Sequence, residues 1–371
     1  MRIVIVISSL FYGGAETQAM AQARQLVRNG HQVAIYCLSR HNPRAQELDG
    51  SGVQVIADHK RVRFDLGTIW RLRRFLRRFQ ADIVHGFLYD ANLYARLAAA
   101  GSGTVALSSE RSDGYTLSLV QRLAHRLSRG LARGVVANSH AGARFAQAMY
   151  AFPDAKMHVV WNGIDLAAVA RRVDAAGGNV KAELFGDPTV KLACMVANIK
   201  PDKDYALALH SAALLIQHDP RWRVLFVGDE NIWTGAYHAE MRALHAQLQL
   251  EGKALFAGTR SDVLEIMTKV DVLFSTSVRE GFPNVVLEAM AVGVPVVSTE
   301  YSDIRLILPQ PWQVVDERRA PVMVAAIERA YAEHDALAAQ QRRWVEQHAT
   351  TEACAARLET VYAGYLNNMN G

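Results

Sequence analysis

The sequence predicts an α/β protein built from two Rossmann-like, doubly wound domains in tandem. Three observations carry that reading. Short β-branched runs alternate with amphipathic stretches along the chain, which means parallel sheets covered on both faces. The alternation occurs twice, broken by the segment Leu166–Pro188 with its Gly177-Gly178 pair. And 371 residues exceed what one hydrophobic core ordinarily organises.

In the first half the strand-like runs are Ile3–Ile7, Val33–Cys37, Val53–Ile56, Ile83–Val84, Val105–Leu107, Val135–Ala137 and His158–Val160. Between them lie helical patterns such as Ala15–Asn29 and Leu117–Leu131. The second half offers Leu192–Val196, Arg223–Val227, Ala254–Phe256, Val272–Phe274, Val294–Ser298 and Gln313–Val315. The expected division is a first domain over 1–168 and a second over 169–350. A last helical pattern, within 351–371, is expected to cross back to the first domain. Ligands of such sheets sit beyond the carboxyl ends of the strands.

Composition excludes several classes. Half the residues are apolar and about a fifth charged, ordinary usage for a soluble protein. No run reaches the ~18 uninterrupted apolar residues of a membrane span. The start, MRIVIVISSLFYGGAE, has too short an apolar core for a signal peptide and reads as a buried first strand. Cys37, Cys194 and Cys354 lack metal-ligand spacing, which fits inert thiols in a reducing cytoplasm. Charge is unevenly shared: residues 1–165 hold 21 Lys+Arg against 11 Asp+Glu, and residues 166–371 hold 20 against 25. The two halves are therefore expected to meet different partners.

The most informative stretch is SVREGFPNVVLEAMAVGVPVVS, residues 277–298. Pro283 fits the first turn of a helix and Gly281 lets backbone approach a ligand closely. A helix amino terminus offers unpaired N–H groups and the positive end of a dipole, which suits a phosphate. Glu288, one turn in, would repel phosphate but accept two ribose hydroxyls, and Glu280 would lie near the sugar end of the same ligand. The bland alternative is a capped core helix with a solvated glutamate.

The same residues, E-G-F-P-N-V-V-L-E-A-M-A followed by G-V-P-V-V-S-T, resemble the E-x7-E signature of the retaining family-four glycosyltransferases. YGGAE at 12–16, VWNGID at 160–165 and VGDE at 227–230 resemble further elements of that family, in order and at matching separations. The resemblance implies the GT-B fold, two Rossmann-like domains facing across a cleft, and a nucleotide-sugar donor, with UDP favoured over GDP. It implies that Glu288 holds the ribose, while Glu280 and the backbone at Gly281, Phe282, Pro283, Asn284 and Val285 face the sugar and diphosphate. Lys203, in NIKPDKDY, would neutralise the diphosphate, Gly14 would bring backbone to the same phosphates, and Lys203 and Glu280 would carry the catalysis. On the acceptor side it points to His85, Asn92, Glu110 and Arg111. The acceptor implied is a lipid-linked glycan of bacterial surface polysaccharide synthesis.

Departures are equally specific. Asn198 stands where the family often has arginine. Arg260, in GTRSD, is a substitute cation, a base contact or a plain surface residue. A histidine closing a strand, as His85 does, is more often a satisfied core residue than a ligand. Asp202-Lys203-Asp204 resembles the D-x-D metal signature of another glycosyltransferase fold, but a lysine between the carboxylates supplies positive charge without metal. No metal or other cofactor is expected. A glycosidase would need two carboxylates flanking the scissile bond, a role the ribose-binding position of Glu288 does not suit. A dinucleotide oxidoreductase would want G-x-G-x-x-G after the first strand, which SSLFYGGAE lacks. A sugar-nucleotide epimerase of the same architecture and a non-catalytic nucleotide-binding protein stay open.

Two basic segments, 60–78 and 117–133, bear on the partner. In GTIWRLRRFLRRF, Ile69, Leu72, Phe75, Leu76 and Phe79 form one stripe, with Arg71, Arg73, Arg74, Arg77 and Arg78 opposite and Trp70 among the arginines. In Leu117–Arg133, Val120, Leu123, Leu127 and Leu131 are expected to form the buried stripe, opposite Arg122, Arg126, Arg129 and Arg133. Asp65 is the one acidic residue between Lys60 and Arg78. Nucleic acid is not the expected partner, since no nucleic-acid module is recognisable and the other half is acidic. An anionic bilayer fits arginines with a tryptophan at headgroup level. The expectation is a cytoplasmic enzyme, peripheral on the inner face of the membrane.

Overall fold

The computed structural model describes every residue except 63, 113, 115–116, 230–235 and 371, and only the backbone of 368–370. Glu230 of the VGDE element therefore lies outside the described residues. The chain forms two compact units, 1–163 with 349–371 and 164–348.

The first unit holds seven strands: β1 (Arg2–Ile7), β2 (Gln32–Cys37), β3 (Gln54–Ala57), β4 (Ile83–Gly86), β5 (Val105–Glu110), β6 (Gly134–Ala137) and β7 (Met157–Val159). All pair in parallel, in the order β3-β2-β1-β4-β5-β6-β7. The run IVIVI shows why. Ile3, Ile5 and Ile7 enter one core and Val4 and Val6 the other, because successive strand residues point to opposite faces. The helix Thr351–Asn370 completes the first of these cores with Cys354, Leu358 and Tyr362. Gly163 lies so close to the start of this helix that a Cβ would stand 2.7 Å from Thr351 Cα, and Gln18 fixes it from the other side through both amide groups, at 2.9 and 3.1 Å. The glycine of VWNGID is a packing requirement.

The second unit holds β8 (Lys191–Val196), β9 (Trp222–Val227), β10 (Ala254–Phe256), β11 (Val272–Ser275), β12 (Val296–Thr299) and β13 (Val314–Val315). Their order is β10-β9-β8-β11-β12-β13, again with every pairing parallel. After β9, Gly228 takes φ +155°, and a Cβ there would overlap the Ala197 carbonyl. Only glycine tolerates both.

Two expectations change. Leu166–Pro188 is not a plain linker: it forms the helices Leu166–Ala175 and Val180–Phe185, both within the second unit. The unit boundary accordingly falls at 163/164. The second change concerns the helix Leu119–Ser128. Val120, Leu123, Leu127 and Leu131, expected to be buried, are exposed, Val120 at 78% and Leu127 at 77%. The face that packs is polar. Buried His125 and Ser128 gather around Arg96, which is fully buried and also holds Ser108 Oγ at 2.8 Å. Periodicity identifies an amphipathic helix but does not say which face finds a partner. Leu66–Phe79 follows expectation, with Leu72 and Leu76 buried and Trp70 60% exposed. Asp65 caps this helix, accepting from Gly67 N at 2.9 Å, and its further bond from Arg61 N at 3.1 Å, more than the cap itself, holds its carboxyl down at about 2.

Candidate functional site

In an open parallel sheet the crevice for ligands opens where the strand order reverses. In the second unit that point lies between β8 and β11. The turn Pro201–Lys203 follows β8 and the 276–283 loop follows β11, so both rise from the same edge. Lys203 is 7% exposed and its Nζ pairs with Glu280 Oε1. Ser277 Oγ donates to the same oxygen at 2.9 Å.

Backbone contacts staple the two loops. Thr276 Oγ1 donates to Lys203 O at 2.7 Å, and Val278 N to Asp202 O at 2.8 Å. From the far side Arg318 donates to Ser277 O at 3.0 Å and to Asp204 Oδ2 at 2.8 Å. Thr299 Oγ1 holds Ser277 O at 2.7 Å, and Ser302 Oγ holds Gly281 O at 2.8 Å. None of Arg318, Thr299 and Ser302 was readable as a site residue. They come from later loops, and no short-range pattern announces a side chain whose role is to hold another loop's carbonyl.

The helix Asn284–Val292 begins at this edge, with Pro283 in the N-cap position and no side chain capping it. Phe282 and Pro283 are buried, while Gly281, Asn284 and Val285 are partly exposed. Glu288 lies one turn in. Burial raises its carboxyl above the ordinary range, with Arg172 on the helix Leu166–Ala175 opposing the shift. No hydrogen bond engages Glu288 among the described residues. An ion-paired lysine, an open helix terminus and a desolvated carboxylate thus stand together.

Other expected site residues have different uses. Asn198 accepts from Asp229 N at 2.9 Å, tying the β8 loop to the β9 loop. Asp202 pairs with Lys200 at 3.1 Å, and Asp204 caps the helix Tyr205–His218 besides holding Arg318. Arg260 forms a two-pronged pair with Asp262, at 2.8 and 2.6 Å. It lines a small pocket of about 190 Å³ with Gly177 and Glu183, and no contact joins it to Lys203. Gly14 opens the helix Gly14–Arg28, in the first unit.

The four acceptor-side candidates gather at the carboxyl ends of β4 and β5, where each makes contacts within the first unit. His85 is fully buried; Tyr362 Oη lies 2.7 Å from its Nδ1 and Ser109 Oγ 2.7 Å from its Nε2. Both ring nitrogens are taken, which leaves none for an acceptor. Asn92 grips Ser109 through its backbone N and O, at 2.9 and 2.8 Å. Glu110 accepts from Arg111 N and Ser112 N at 3.0 and 3.1 Å. Arg111 lies over the Phe87 ring at 4.4 Å and donates to Asn162 at 2.8 Å. Burial lowers its guanidinium to about 10.

A family model for Glycosyltransferase Family 4 matches residues 12–168, and one for Glycosyl transferases group 1 matches 179–349. The chain belongs to the family-four glycosyltransferases of the GT-B fold. Among similar curated proteins, the Vi polysaccharide biosynthesis protein VipC/TviE of Salmonella typhi is 39% identical over 98 residues, 26% of this chain and 16% of that protein. An Escherichia coli UDP-Gal:α-D-GlcNAc-diphosphoundecaprenol α-1,3-galactosyltransferase is 23% identical over 243 residues, 62% of this chain and 61% of that one. The chain thus spans less than two thirds of the length of these curated relatives. Of solved structures, Anabaena HepE bound to UDP superposes with TM-score 0.80 at 17% identity, covering 98% of this chain and 100% of that one. The same protein has been solved with UDP-glucose. For this glycosyltransferase, likeness at that identity establishes the fold alone.

Two buried histidines give the first unit a pH signature. Burial lowers His85, and His125 beside Arg96, from 6.5 to about 3. A group that binds its proton more weakly when folded stabilises the fold above its unfolded pKa and withdraws that support as pH falls toward the folded value. The melting temperature is therefore expected to decline on acidification from about pH 6.5. His85→Gln should lower the baseline and make the decline shallower. An unchanged slope in His85→Gln, followed by circular dichroism, would contradict the assignment.

Proposed function

We propose that this protein moves a sugar from a nucleotide-diphosphate sugar, UDP-linked, to a hydroxyl of a lipid-linked glycan acceptor in surface polysaccharide synthesis. The observation that carries it is the meeting of Lys203 and Glu280 at the β8/β11 switch point, before an uncapped helix with Glu288 one turn in. A diphosphate takes the helix terminus and draws Lys203 from Glu280, which then faces the sugar. Glu288 accepts the ribose hydroxyls, which returns to its desolvated carboxylate the hydrogen bonds it lacks. The bond from the anomeric carbon to the diphosphate breaks, the acceptor oxygen bonds that carbon on the same face, and the acceptor proton passes to the leaving diphosphate. The anomeric configuration is retained. The protein's share is positioning and charge stabilisation. Lys203 supplies the positive charge a divalent ion would supply, while Asp202 and Asp204 serve ion pairs and a helix cap, so no metal is required. The UDP and UDP-glucose bound by Anabaena HepE and the lipid-linked acceptor for which the E. coli galactosyltransferase is named support this reading.

Docking of the first unit on an anionic bilayer completes it. Among the described residues no helix is long and apolar enough to cross a membrane. The helix Leu119–Ser128 instead exposes Leu119, Val120, Leu123 and Leu127 beside exposed Arg122 and Arg126. An apolar stripe flanked by arginines is what a helix lying in the headgroup plane presents. Trp70, with Arg74 over its ring at 5.6 Å, offers a second contact of the same chemistry.

Lys203→Ala and Glu288→Ala should each weaken UDP binding at least tenfold, about 1.4 kcal/mol, with the fold intact. Calorimetry giving wild-type affinity in both would sink the donor assignment.

An α-linked donor should yield an α-linked product, and EDTA should leave the rate intact. A β-linked product by proton NMR, or activity lost to EDTA and restored by manganese, would refute the mechanism.

Sedimentation with liposomes should give binding that needs anionic lipid and weakens above physiological ionic strength. Leu123→Glu with Leu127→Glu, or glutamate at Arg73, Arg74 and Arg77, should release the protein while UDP binding persists. Wild-type protein that ignores anionic liposomes at low salt removes the bilayer from the model.

A further inference from the structure

An open pocket of the first unit, of about 690 Å³, has neither Lys203, Glu280 nor Glu288 in its lining. It lies at the carboxyl ends of β1, β2 and β3, the edge where such sheets take ligands. Its rim carries Arg40, His41, His59, Lys60 and Arg61, against Asp90 alone. Asp90 is already ion-paired with Lys60. Two further carboxylates adjoin the rim: buried Asp58 holds Arg71 at 2.7 Å, Tyr36 Oη at 2.8 Å and the rim's His59 Nδ1 at 3.3 Å, and Asp65 accepts from Arg61 N at 3.1 Å. That leaves the guanidinium groups of Arg40 and Arg61, both exposed and without a side-chain hydrogen bond among the described residues.

Fixed guanidinium charge in a concave polar site, with imidazoles beside it, recognises phosphate through several N–H donors at once. Beyond Arg61, the side chains of Val62, Phe64 and Leu66 face outward, at 62%, 50% and 70% exposed, with half-buried Asp65 between the last two. A strip of exposed apolar side chains, interrupted by Asp65, thus begins beside the cationic pocket.

We propose that this pocket binds the phosphate groups of the acceptor, with the exposed side chains of Val62, Phe64 and Leu66 along its lipid. The inference rests on the acceptor reading given above. A lipid-linked diphosphate and a phosphorylated soluble sugar share this chemistry, and the apolar strip favours the first.

The test titrates the full-length protein, with UDP at saturation to occupy the donor site, using geranyl diphosphate, glucose 1-phosphate and geraniol. Geranyl diphosphate should bind, geraniol should not, and Arg40→Ala with Arg61→Ala should weaken the diphosphate at least tenfold while UDP affinity stays at its wild-type value. Both arginines are exposed, so folding is not at risk. Tighter binding of geranyl diphosphate than of glucose 1-phosphate supports the lipid source; equal binding supports the phosphate pocket with a soluble source. Absence of binding in wild type, equal binding in the double variant, or displacement of geranyl diphosphate by UDP overturns the proposal. Failure to bind UDP with geranyl diphosphate still bound would end the donor reading and leave the pocket standing.

Discussion

Parallel pairing in both sheets is the constraint from which the rest follows. A parallel strand must return to the same end of the sheet before it pairs again, so helices cover both faces and the central strands are buried on both sides. All carboxyl ends then lie at one edge, and the loops that leave them are forced together. Lys203 and Glu280, 77 residues apart, become partners because β8 and β11 are neighbours. The same geometry in the first unit gathers residues from three loops around Arg40 and Lys60. Neither cluster needs proximity in sequence, only adjacency in strand order.

The loops of the candidate site are held by side chains that bond to their backbone. Arg318, Thr276, Thr299 and Ser302 all direct their side chains to backbone carbonyls of the 276–281 loop or of Lys203. A loop fixed in this way presents its charges with little reorganisation when a ligand arrives. Glu288 shows the cost of such a site. The pKa of its half-buried carboxylate is raised by burial, with Arg172 opposing the shift, so a ligand that donates hydrogen bonds to it would favour its charged form.

In the first unit, buried polar groups decide how secondary elements face. Arg96, fully buried, draws His125 and Ser128 inward, and the leucines of that helix turn outward in consequence. Leaving a buried guanidinium without its acceptors costs more than exposing a few aliphatic side chains. A surface of leucine and arginine results. Charge and exposed apolar area occupy one unit, while the acidic balance lies in the other.

The sequence by itself determined the strands and their parallel arrangement, and it singled out the stretch on which the candidate site is built. IVIVI, VAIYC and LACMV are apolar without alternation, which only a doubly covered strand explains, and the glycines and glutamates around Pro283 mark a ligand-facing helix start. Tertiary structure decided which charged residues meet. The Lys203–Glu280 pair, the stapling by Arg318, the use of both nitrogens of His85 and the spending of Asn198 on Asp229 all depend on strand order, and local pattern carries no strand order. It also decided which face of Leu119–Ser128 is buried. Hydrophobic period sets the angle between the two faces of a helix; the partner at Arg96, from a helix elsewhere in the chain, sets which of them turns inward.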